Sequence, residues 1–78
     1  MLKKEERLII TFHTTADAMA MEKMCKNRHL PGRLIPVPRE ISAGCGLAWS
    51  APPGEKDILV SAMEAVSLQF QEMRVLVI

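Results

Sequence analysis

Two proline–glycine breaks, Pro31-Gly32 and Pro52-Pro53-Gly54, constrain this chain more than any other feature. Proline can neither continue a helix nor donate to a sheet ladder, and glycine opens the backbone to turns. Only short elements fit between such breaks. A strand-like run and a helical run precede the first break. Two strand-like runs lie between the breaks, and a helical run and a strand-like run follow the second.

Arg7-Leu8-Ile9-Ile10-Thr11-Phe12 is rich in β-branched and apolar residues and reads as the first strand, with Leu8, Ile10 and Phe12 on one face and Ile9 and Thr11 on the other. His13-Thr14-Thr15 ends it, and either threonine can cap the following helix through its hydroxyl oxygen. Ala16 to Arg28 has helical spacing, with Ala16, Ala20, Met21, Met24 and Cys25 sharing a side. His29-Leu30-Pro31-Gly32 is its stop signal. Arg33 to Val37 reads as a strand that Pro36 confines to a sheet edge, and Gly46 to Ser50 reads as its hairpin partner. Asp57 to Phe70 predicts a second helix, with Leu59, Ala62, Met63, Val66 and Phe70 on its buried side and Ile58 and Ala65 flanking them. Met73 to Ile78 predicts a hydrophobic last strand inside the sheet, paired with the first.

This order is the β-α-β-β-α-β pattern of a ferredoxin-like α+β fold: a four-stranded antiparallel sheet with two helices on one face. The 78 residues form one domain, 1–78, because two cores of half that length would need metal or disulfides. The other sheet face has no helix, so Trp49, or Ile9 if it points that way, is expected to be exposed there or to pack on another chain. A homodimer through that open face is the corresponding expectation.

The net charge of +1 disfavours a nucleic-acid binder, which needs a concentrated basic surface. Exposed aromatics for stacking RNA bases are also scarce, since Trp49, Phe12 and Phe70 are the whole set. No apolar run approaches the roughly 20 residues that span a bilayer, and Met1 to Glu6 lacks the apolar core of a secretory signal. The expectation is a cytoplasmic protein that binds neither membrane nor nucleic acid, with its two cysteines as free thiols.

Chemistry concentrates in the segment from Leu34 to Ala48. It sets Cys45 in a turn flanked by Gly44 and Gly46, between two strand-like runs. A single thiol on a loop of a small rigid domain is a candidate acceptor of a reactive group. A carrier thiol must ionise and be reachable. The backbone N–H groups of the Ala43 to Gly46 turn can form an anion-binding nest. Arg39 can stabilise a thiolate and Ser42 can donate to one, although an intraloop Arg39–Glu40 ion pair and a self-capping serine explain those residues equally well. Cys45 can equally be a small buried residue that ends a hairpin loop. Cys25, on the edge of the apolar helix stripe, reads as structural; its pairing with Cys45 as a redox switch would need the two within disulfide range. With His13 and His29 the cysteines do not match a tight zinc spacing, so neither a metal nor another cofactor is expected. Glycine-rich phosphate loops, paired catalytic carboxylates and a nucleophile elbow are missing from the sequence.

The stretch Arg33-Leu34-Ile35-Pro36-Val37-Pro38-Arg39-Glu40-Ile41-Ser42, then two small residues, then Cys45-Gly46-Leu47-Ala48, resembles the signature of the small selenium/sulfur carrier-like family of bacteria. Ala18 and Glu22-Lys23 fit the helix pattern of that family, and the likeness spans about Leu8 to Phe70. The resemblance implies that Cys45 holds a persulfide or selenium adduct. It assigns nothing to Cys25, where such domains tend to carry an aliphatic residue. The function expected is a non-enzymatic carrier that receives sulfur or selenium from a desulfurase-type donor protein and passes it to an acceptor protein. Arg39, Ser42, Gly44 and Gly46 would support Cys45. The alternative is a dimeric ferredoxin-like binding or regulatory module with a structural Cys45, since this scaffold hosts many functions.

Overall fold

The computed structural model of the protein describes residues 4–39, 41 and 46–78. Its elements follow in the order β1 (Glu6–Thr11), α1 (Thr15–Arg28), β2 (Arg33–Pro36), β3 (Leu47–Ala51), a 3-10 turn (Pro53–Glu55), α2 (Lys56–Ala65) and β4 (Glu72–Val77). The four strands form one sheet in the order β2-β3-β1-β4, antiparallel at every step. Pro36 lies on the edge strand β2, where its missing N–H costs no ladder bond.

Helix α1 begins where a threonine can satisfy an orphan backbone donor. The Asp17 N–H donates to the Thr14 hydroxyl oxygen at 3.1 Å, and that hydroxyl lies 3.0 Å from the Asp17 carboxylate. The helix ends on His29, in the left-handed region at φ 56, with the Leu30 N–H bonded to the Cys25 carbonyl at 2.8 Å. This is a Schellman closure made by a histidine, ahead of the proline and glycine that signal the stop in sequence. Gly32 then adopts φ 118, and a side chain there would run into the Trp49 indole. The indole N–H itself donates to the Pro31 carbonyl at 3.3 Å.

Both helices pack on one face of the sheet. Leu8, Ile10, Phe12, Trp49 and Ala51 from the strands meet Ala18, Met21, Met24 and Cys25 of α1 and Leu59, Ala62 and Met63 of α2 in a single core. The buried stripe of α1 thus runs through Ala18, while Ala16 and Ala20 are exposed. Alanine is small enough for either side of a helix, so the apolar spacing at 16 and 20 carries little directional information. Among the described residues, no helix is long and apolar enough to cross a membrane.

Three expectations need correction. Helix α2 stops at Ala65, not Phe70. Ser67 takes a left-handed φ of 55, and the Leu68 N–H bonds the Met63 carbonyl at 2.9 Å, a second Schellman closure. Leu68 then packs on the core, whereas Ile58, Ala65, Val66 and Phe70 are exposed. Strand β4 pairs with β1 as expected but lies at the sheet edge, because β3 occupies the other side of β1. Trp49 is not on the helix-free face; the β3–β1 register puts it opposite Ile10, under the helices.

The helix-free face is partly covered as well. Ile9 is fully buried there with Ala48 and Ile41, and Ile35, Val37, Leu76 and Ile78 pack around them. Val37 and Ile41 come from the segment after β2, so part of the hairpin connection lies across the sheet and shields Ile9 from water.

Candidate functional site

The β2–β3 hairpin positions the signature segment. Its ladder pairs Arg33 with Ser50, Leu34 with Trp49, Ile35 with Ala48 and Pro36 with Leu47. One further backbone bond, from the Val37 N–H to the Gly46 carbonyl at 3.0 Å, carries the pairing past the strands. The chain then turns, with the Ile41 N–H bonded to the Pro38 carbonyl at 3.1 Å. Ile41, only 5% exposed, anchors this turn in the small apolar cluster on the helix-free face. The Val37–Gly46 bond therefore closes the hairpin connection at its base, and burial holds Ile41 within it.

Arg39 is exposed in the turn, and no hydrogen bond or ion pair ties it to another described residue. Gly46 is exposed at φ 76, with open space where a side chain would sit. Its requirement for glycine is thus conformational, since the left-handed region penalises a Cβ, and no close contact adds to it. Cys45, Ser42 and Gly44, together with Glu40, lie outside the described residues.

Cys25 is described, and it is unsuited to transfer chemistry. Its thiol is 1% exposed in the main core, free of any disulfide, and burial pushes its pKa from 9.0 up to about 11. A thiol that stays protonated and out of reach is a poor nucleophile. His13 and His29 are both exposed, at opposite ends of the 14-residue helix α1. At 1.5 Å per residue that helix separates them by about 20 Å, too far to share an ion. Among the described residues, no group of three or more His, Cys, Asp or Glu is arranged to hold a metal.

A polar cluster on the helix-free face is absent from the sequence reading. Arg7 donates its Nε–H to the Ser50 hydroxyl at 3.0 Å, and Arg7, Ser50 and Arg33 line a common pocket. The signal was present in the alternation of the strands, which assigns Arg7, Arg33 and Ser50 to one face. Recognising their proximity requires the strand order as well.

The family model described as "Putative Se/S carrier protein-like" matches residues 7–74. The chain belongs to that family. The match takes in both helices, the hairpin and the whole signature from Arg33 to Ala48, and reaches into β4. No curated protein and no solved structure matches the chain.

Proposed function

We propose that this member of the Se/S carrier-like family is a sulfur or selenium carrier that works through Cys45. The observation that supports this most is the family match across residues 7–74, which includes the cysteine-bearing signature. The strand order β2-β3-β1-β4, with every neighbour antiparallel and both helices on one face, also fits the ferredoxin-like scaffold expected for the carrier.

In loading, the Cys45 thiolate attacks the terminal sulfur of a donor's persulfide. A new sulfur–sulfur bond forms on Cys45, the donor's sulfur–sulfur bond breaks, and the donor leaves as a thiolate, so no outside oxidant or reductant is consumed. Selenium transfers in the same way as a selenopersulfide. Discharge repeats the exchange with an acceptor's nucleophile. The donor is a desulfurase-type protein and the acceptor a second protein, both in the cytoplasm. Arg39 supplies positive charge in the same connection, Ser42 a hydrogen bond, and Gly44 and Gly46 backbone freedom. Cys25 takes no part, consistent with its burial.

The test is transfer of labelled sulfur from a persulfide-loaded donor. Cys45→Ser should carry no label, and Cys25→Ser should carry as much as the wild type. Label retained on Cys45→Ser would sink the proposal. Alkylation of Cys45 in the Cys25→Ser protein should be fast, with a pKa below the ~8.5 of a free thiol.

A further inference from the structure

The helix-free face holds two guanidinium groups, those of Arg7 and Arg33, that make no ion pair with a carboxylate of the described residues. The registers align Arg33 of β2, Ser50 of β3, Ile9 of β1 and Arg74 of β4 in one row across the sheet, with Arg7 two residues from Ile9 along β1. Arg74 is paired with Glu72 at 3.2 Å. Arg7 and Arg33 have no ion pair with any described residue. They line a pocket of about 590 Å3 with Ser50, Ile35, Ile78 and Glu5, the last being its one acidic side chain.

Arg7 of β1 and Arg33 of β2 flank β3 and line the same pocket, so their like charges repel across it, and a bound anion relieves that repulsion. Arg7 is also pre-organised. Its bond to the buried Ser50 fixes the guanidinium while its terminal nitrogens make no bond to a described residue. A planar N–H fork held in this way suits an oxyanion and loses little freedom on binding. Ile35 and Ile78 provide an apolar wall, and the volume leaves room for an organic substituent beside the charged group.

We infer that this pocket binds a phosphate-type dianion, as the free ion or as the head of a small monoester. The site is formed by β1, β2 and β3, and it stands whether or not Cys45 carries sulfur.

The test is a backbone-amide NMR titration of the full chain at fixed ionic strength, with inorganic phosphate, phenyl phosphate and phenol in separate arms. Saturable shifts are expected at Arg7, Gly32, Arg33 and Ser50 with either phosphate, and none with phenol. Tighter binding of phenyl phosphate assigns the site to an ester, and equal binding to the free ion. Arg33→Ala, at an exposed position on an edge strand, should weaken binding about tenfold. Arg28→Ala, at the end of α1, should leave it unchanged, and Glu5→Gln should tighten it. No saturable shift, or shifts that survive Arg33→Ala undiminished, would overturn the inference.

Discussion

Two cysteines of one small domain face opposite demands. Cys25 is enclosed with Met21, Met24 and Trp49 in the main core, where its thiolate would lose hydration and gain no cation. Its pKa therefore stands at about 11, against 9.0 for the free group. The folded state holds this proton more tightly than the unfolded state. The resulting stability is fully present below the unfolded pKa, falls as pH rises through the window from 9 to 11, and is lost above it. The slope reaches about 1.4 kcal/mol per pH unit. Urea unfolding from pH 8 to 11 should show the wild type losing stability faster than Cys25→Ala in that window. Parallel curves would mean that the thiol is hydrated in the folded protein. Cys45 is present in both proteins and cancels from the comparison.

The helices show how local signals compete with closure of the fold. Leu59, Met63, Val66 and Phe70 recur at helical spacing, and on period alone α2 should continue to Phe70. It stops at Ala65 because the chain must return to place β4 beside β1. Leu68, half-buried, packs against the core, whereas Val66 and Phe70 are exposed. The sharp exit depends on Ser67 at φ 55, in a region where any residue but glycine is strained. Ser67→Gly should relieve that strain and raise stability by about 0.5–1 kcal/mol, net of the added freedom of the unfolded chain. The urea midpoint reads this directly, and a drop would show that the serine contributes more to the exit than its backbone. The start of α1 was legible at the threonine pair. Its end at Arg28 was legible too, in the stop signal His29-Leu30-Pro31-Gly32, although the structure gives the left-handed position to the histidine and not to the glycine.

Across the whole molecule, the sheet is a layer with unequal covers. Two helices cover one face, and Val37, Ile41 and Ile78 partly cover the other. If Cys45 acts as proposed, the second cover also bears on function, because Ile41 is anchored within the hairpin connection whose sequence contains Cys45. Ile41→Ala removes a buried side chain from the cluster it forms with Ile9 and Ala48. It should cost about 2–3 kcal/mol, toward the lower end for such truncations, since the site lies at the surface and can relax. Thermal or urea unfolding measures the cost. A change under about 0.5 kcal/mol, typical of a surface site, would show that the turn is not anchored there. The burial of Trp49 and Ile9 also removes the reason for expecting these two residues to seek a partner chain.

The sequence by itself determined the order and type of the elements, the edge placement of β2 through Pro36, the structural role of Cys25 and the signature from Arg33 to Ala48. Each of these rests on local information: a period, a proline, a composition, a run of adjacent residues. Only the tertiary structure decided that β4 takes an edge, that Trp49 faces the helices, that α2 ends at Ala65 and that Arg7 and Arg33 share a pocket. Those outcomes depend on which strands become neighbours and which face each helix covers. They are set by burial between residues far apart in the chain, to which no local period is sensitive.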